Sequence, residues 1–436
     1  MSTDPHHPDH RHDPYAALRS PNYRAFAAGF SCSSFGLQML ATGLAWEIYE
    51  RTGSAWLLGC IGLARALPVV LLALPAGHTS DILSRKWIIV VSQGVFAMTA
   101  FALMLWSHEQ GPLWAAYALV VVMGCTRAFN GPARGSILPL IVPKHDFPNA
   151  VTWNSSVFQA SGVLGPLAAG LLISAFHAAW PVYACCALGT LIMFFTGIYI
   201  RPLEEQQPGG KFTVKSMLSG LGYLRQERVV FGAILIDCLG VLLGGATALL
   251  PVYAKDILKV GPDGLGLLKS APYVGAFVMS LVLAHRKPFE RTAPVFLSAV
   301  ALWAVCIIGF GLSTSFWLSM VLLAAEGAID TISVVIRHVL VQFRTPDSLR
   351  GRVSAVNSMF IEMSNELGGF ESGAVAALAG PVVAVVSGGL GTLAVLGAVA
   401  TFIPELRKLG RLHEHHMHVQ PAAASGVANA PAAPQP

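Results

Sequence analysis

The stretch LAAEGAIDTISVVIRHVL, from Leu323 to Leu340, sets Glu326, Asp330 and Arg337 into a run made largely of Leu, Val, Ala and Ile. On a helix turning about 100° per residue, Glu326, Asp330, Ser333, Arg337 and Arg344 fall within an arc of roughly 60°. A carboxyl group taken out of water holds its proton more tightly, so an acid here can load and release one, although a neighbouring Arg opposes this. The stripe therefore allows proton carriage, or, with every charge paired, the locking of one helix to another. It cannot face lipid, where a charge at the bilayer centre costs on the order of 3 kcal/mol or more.

Other apolar runs repeat the arrangement more weakly. Asp237 stands alone in its run, flanked by Gly240 and Gly244. Ser358, Glu362, Asn365 and Glu366 share one helix face, and Glu371 points away from it. Ser31, Ser34, Gln38 and Thr42 form an uncharged stripe in the first run, and Arg127 and Arg134 are nearly eclipsed in the fourth. Gln38, Trp46, Asp237, Glu326, Asp330 and Glu362 are the candidates for one shared polar cavity. For Arg127, Arg134, Arg337 and Arg344, near the basic ends of their runs, the expected role is helix locking.

The elements that must position these groups follow from composition. Charged residues make up 12% of the 436 and hydrophobic residues 54%, too few charges to coat a soluble protein of this size. Twelve apolar runs lie near 25–49, 56–77, 87–107, 112–131, 152–176, 179–200, 229–254, 264–284, 292–313, 317–341, 354–379 and 381–403. Each is about the length of a bilayer-crossing helix. The expected fold is all-α, with twelve transmembrane helices in two six-helix halves and the bilayer as a partner.

Of the 28 Lys and Arg, twenty lie in the tails and alternate loops on one side, three on the other and five in or beside the runs. The basic side should be cytoplasmic, which puts both termini inside. The net charge of +5 then reports topology and not nucleic-acid binding. Seven cysteines in apolar runs, without metal spacing, read as packing residues. The divisions expected are an arm (1–24), a first half (25–201), a linker (202–228) with an amphipathic piece near 214–224, a second half (229–405) and a tail (406–436).

The halves look like copies. A gapless shift of 203 brings Arg134, Pro143, Asn154, Ser155, Ser161, Leu164, Gly165 and Gly170 onto Arg337, Pro346, Asn357, Ser358, Ser364, Leu367, Gly368 and Gly373. At a shift of 204, Pro68 meets Pro272 and Arg65 stands opposite Lys269. Repeated halves of this kind place a binding site near the midplane between them.

At this point the chain resembles the major facilitator superfamily over about 25–405. GHTSDILSRK looks like that family's loop signature, with Gly77, Asp81, Arg85 and Lys86 in matching positions and Ile82 and Ser84 departing from it. The resemblance implies that these residues latch loops to helix ends and gate the inward face. RAFNGPA resembles the family's Arg-x-x-x-Gly element through Arg127 and Gly131, and SGVLGPLAAG its exporter Gly-Pro signature through Gly165, Pro166 and Gly170. WEIYERTGSAWLLG and TPDSLRGRVSAVNSMFIEMSNELGGFESG look like the enterobactin-exporter and transmembrane secretion effector branch. This implies the major facilitator fold and proton-driven export of a small amphipathic molecule, siderophore- or drug-like, from the inner membrane.

The expected mechanism is alternating access around a cavity lined by the first, fourth, seventh and tenth helices, with the eleventh nearby. The working unit is expected to be a monomer with no cofactor, driven by the proton gradient. The His-rich ends (His6, His7, His10 and His12; His413, His415, His416 and His418) read as tails and not metal sites. A Gly-rich phosphate loop and a hydrolase set are both missing from the sequence, so an enzyme is not expected. A lipid flippase on the same fold and a transport-inactive sensor or scaffold remain as alternatives.

Overall fold

The computed structural model describes residues 13–203, 222–287, 289 and 291–407. Most of the amphipathic linker piece and both His-rich ends lie outside the described residues. Twelve long helices run through the rest. They are α1 (Pro21–Thr52), α2 (Ala55–Ile82), α3 (Arg85–His108), α4 (Leu113–Ile141), α5 (Phe147–Phe176) and α6 (Trp180–Tyr199), then α7 (Arg228–Leu243), α8 (Gly261–His285), α9 (Thr292–Leu312), α10 (Phe316–Arg344), α11 (Asp347–Ala379) and α12 (Pro381–Phe402). Ten of the spans are long and apolar enough to cross a membrane; α1 and α11, which carry polar stripes, fall short of that hydropathy.

Local chemistry sets the ends. Ser20 caps α1 by accepting from the Tyr23 amide, and Ser54 caps α2 by accepting from Leu57, each satisfying an orphan N–H. Gly53 ends α1 at φ +59°, where a side chain would be strained. Several helices overrun their apolar runs. α4 continues ten residues past the expected 131, through Pro132 and Pro139, while α5 and α11 begin at Phe147 and Asp347. Hydropathy marks the portion in hydrocarbon, whereas helix length also includes the polar ends that stand in the interface.

The packing repeats. α1 packs on α5 and α6, α2 on α4, and α3 on α4 and α6; α7 packs on α11 and α12, α8 on α10, and α9 on α10 and α12. Adding six to every label of the first set gives the second. The two seams between the halves, α2 with α11 and α5 with α8, are also images of each other. Both seams are tight. A Cβ on Gly373 would stand 2.6 Å from the Gly59 Cα, and one on Gly266 would stand 2.6 Å from the Pro166 carbonyl oxygen.

α7 departs from its counterpart α1. It stops at Leu243, and Gly244–Gly245 leads into a short 3-10 turn, one α turn and a π turn ending at Ile257. A Cβ on Gly245 would lie 2.6 Å from the Gly368 carbonyl oxygen. The chain breaks where α11 comes close.

Candidate substrate cavity

A cavity of about 720 Å³ opens between the halves. α1 contributes Gln38, Ala41, Thr42 and Ala45, and α2 contributes Leu58, Ile61, Gly62 and Arg65. α5 adds Gln159 and Pro166, the broken end of α7 adds Thr247, Ala248 and Leu250, and α8 adds Lys269, Pro272, Tyr273, Ala276 and Ser280. Glu326, Asp330 and Val335 come from α10, and Asn365, Glu366 and Gly369 from α11. The size suits a drug-sized solute, and the mixture of apolar walls with a few polar groups is that of a ligand site.

The α10 stripe is divided by depth. Glu326 lies on the cavity wall and accepts a hydrogen bond from Trp303 Nε1 at 2.7 Å. Asp330 faces the cavity and also a second, smaller one of about 20 Å³, the size of one water molecule. Asp237, Ser333 and Thr392 line that smaller space. Behind it Arg337, 3% exposed, is ion-paired with Asp237, 10% exposed. Farther down α10, Arg344 pairs with Glu227 at 2.8 Å. Asp330 is thus the residue that connects the large cavity to the buried pair.

A second network crosses the halves. Arg127 of α4 reaches Glu362 at 2.5 Å and Glu366 at 3.1 Å, and Arg65 of α2 lies 3.6 Å from the same Glu366. The Arg127 and Glu362 side chains are 39% and 49% exposed, so solvent weakens that pair. On the face opposite the basic loops, Tyr49 donates to Asp256, Lys255 to the Glu50 carbonyl at 3.3 Å, and Ser174 to Asp263 at 3.0 Å. With the two glycine seams, these contacts close that end of the cavity.

The comparisons fit this arrangement. A family described as transmembrane secretion effector matches residues 12–429. The chain belongs to that family. It is similar to the enterobactin exporter of Shigella boydii, 23% identical over 389 residues, covering 89% of this chain and 93% of that protein. The Escherichia coli O6:K15:H31 enterobactin exporter is 24% identical over 390 residues, with the same coverage. Among solved structures, the nucleoside transporter NupG aligns with TM-score 0.68 at 13% identity, covering 87% of this chain and 98% of that one. A bacterial homologue of the iron transporter ferroportin, in an inward-facing state, aligns with TM-score 0.65 at 15% identity, covering 88% and 99%. These confirm the twelve-helix major facilitator fold and its two halves.

Within this fold, the motif residues take distinct places. Arg85 donates to the Ser136 carbonyl at 3.0 Å and Lys86 to the Ile198 carbonyl at 2.7 Å, tying the start of α3 to α4 and α6. Gly77 is buried on α2, and the side chain of Asp81 is not described. Gly131 is exposed, and Arg134 lies over the Phe30 ring at 4.9 Å. Gly165 lets α5 approach α1, where a Cβ would stand 2.7 Å from the Gln38 Cβ, and Gly170 meets the Pro262 carbonyl at 2.5 Å in the same sense. The Gly-Pro segment is therefore where α5 packs on both α1 and α8.

The cavity expectations need correction: Asp237 lines only the smaller space, and Glu362 pairs with Arg127 and is not on the cavity wall. Trp46 is 4% exposed and packs in the apolar core, off the cavity wall. The α1 stripe through Gln38 and Ala45 repeats every seven residues, which leaves Trp46 about 80° round the helix from Gln38. The fourth helix contributes no lining residue; α2, α5 and α8 do. α4 packs behind α2, with a Cβ on Gly124 only 2.9 Å from the Arg65 carbonyl, and touches the site only through Arg127.

Sequence reasoning left Lys269, Arg65 and Glu366 out of the candidate set, although all three line the cavity. Their signal was present, because a charged group inside an apolar run needs a wet or paired surrounding. It also passed over Glu47, which accepts from Arg51, from Ser107 Oγ at 2.8 Å and from the Tyr183 hydroxyl at 2.7 Å. That acid is fully engaged and pins α1, α3 and α6 together.

Proposed function

We propose that this chain exports a small amphipathic molecule, siderophore- or drug-like, across the bacterial inner membrane by proton-coupled alternating access. The basic face is cytoplasmic, both termini are inside, and the arrangement described is open inward. One observation carries the reading: Glu326 and Asp330 stand in the wall of an inter-half cavity, with Asp330 also facing the Asp237–Arg337 pair. A proton taken up at this wall neutralises charge next to the site where a solute sits, which links loading to substrate release. The relatives named as enterobactin exporters support export as the direction. One chain supplies the whole cavity, which supports a monomer as the working unit, and the proton gradient is the only energy source invoked.

Efflux of a siderophore and drug panel in membrane vesicles with an imposed pH gradient tests this. Glu326→Gln and Asp330→Asn are expected to abolish gradient-driven flux while downhill exchange persists. If Asp237→Asn, Glu326→Gln and Asp330→Asn all leave coupled transport intact, the assignment is wrong.

A further inference from the structure

Two basic side chains reach the cavity from equivalent positions of the repeat, yet their surroundings differ. Arg65 on α2 has Glu366 of α11 at 3.6 Å. Lys269 on α8 has one described partner, the Ala41 carbonyl, 3.3 Å from Nζ. The reason is in the sequence. At the shift of 203, Val163 on α5 occupies the position that Glu366 holds on α11, and its carbonyl is taken by Ser270 Oγ at 2.6 Å. The pseudo-symmetry that gives Arg65 a carboxylate gives Lys269 an apolar side chain.

An ammonium carries three N–H donors and no acceptor. Holding it within a membrane-spanning helix with one carbonyl partner is costly unless a bound group or solvent takes the others. One turn along α8, Tyr273 accepts from Gln38 Nε2 at 3.3 Å, which leaves its own O–H as a donor on the cavity wall. Of the cavity acids, Glu366 is engaged by two arginines and Glu326 by Trp303, and Asp330 faces the smaller space beside Asp237.

We propose that Lys269, with Tyr273 beside it, forms an anion subsite, so that the transported molecule carries an oxygen anion of carboxylate type. This rests on the export reading and narrows its substrate class. A cationic amphipath has no group to offer the ammonium and meets a charge of its own sign.

Binding to the purified full-length chain in nanodiscs, read by fluorescence anisotropy against empty nanodiscs, tests the subsite. The probes are two xanthene dyes of opposite charge, 5-carboxyfluorescein and rhodamine 6G. Saturable binding of carboxyfluorescein is expected, weakened about tenfold or more by Lys269→Met and about threefold by Tyr273→Phe, but largely kept by Lys269→Arg. Should Lys269→Met fail to fold, competition on the unaltered chain by hexanoate against hexylammonium reads the same point, and hexanoate alone should displace the dye. Absence of saturable carboxyfluorescein binding, a preference for rhodamine 6G, displacement by hexylammonium, or unchanged binding by Lys269→Met each overturns the subsite. Binding needs no gradient, so failure of proton-driven flux sinks the export reading separately from this result.

Discussion

Arg337 and Asp237 decide how the intramembrane charges divide between holding the fold and serving transport. Both are buried and in contact, and removing one partner of a buried pair leaves the other uncompensated, at a cost of about 3 kcal/mol or more. Asp237→Asn should therefore lower the thermal unfolding midpoint of the solubilised protein clearly. Asp237→Asn combined with Arg337→Met, which removes both charges, should recover most of that loss. If the pair only locks α7 to α10, the double variant regains coupled flux with its stability. Because Asp330 faces the same small space, the expectation here is recovery of stability without recovery of coupling. A double variant that transports normally assigns the pair to structure alone.

At the scale of elements, the proposed alternating-access cycle makes the α5–α8 seam a moving surface, and its small residues set how closely it can shut. A side chain at Gly266 meets the Pro166 carbonyl, where a Cβ would already be 2.6 Å away. Gly266→Leu should wedge the face opposite the basic loops. In a background free of the seven native cysteines, a cysteine at Ala45 should then label faster from the periplasmic side, while flux falls at least about tenfold. Unchanged labelling with normal flux would show that the seam does not need to close to this distance. The helices, the repeat and the α10 stripe were legible in the sequence because hydropathy and the 100° step act within one segment. Trp46, the place of α4 and the inclusion of α2, α5 and α8 were not. Periodicity gives the angle of a residue about its own axis, but which neighbour covers that face depends on packing between distant segments. Lys269 shows the same limit: its position in an apolar run was visible, but its lack of a carboxylate emerges only when α8 is set against α5.

For the whole molecule, the proposed cycle requires a second arrangement in which the halves have rocked and the opposite face is open. Beside the shared apolar core, the polar contacts across that face among the described residues are few. Tyr49 donates to Asp256, Lys255 to the Glu50 carbonyl and Ser174 to Asp263, beyond the packing of the glycine seams. Lys255 and Asp256 sit at the end of the broken α7, whose Thr247–Leu250 turns line the cavity, so one segment touches both solute and latch. A solute pressing on those turns can move the latch only if it binds the two arrangements with different affinity. Removing the Tyr49 hydroxyl should shift the equilibrium without altering the cavity. One hydrogen bond to a charged group contributes about 1.5 kcal/mol, so Tyr49→Phe should raise the population open to the periplasm roughly tenfold. The measurement is labelling of a cysteine placed at Thr42, deep in the cavity, by an impermeant thiol reagent added to whole cells in the cysteine-free background. If its rate does not change, the glycine seams and not the polar latch hold the face closed, and the coupling through α7 has to be sought in its break at Gly244–Gly245.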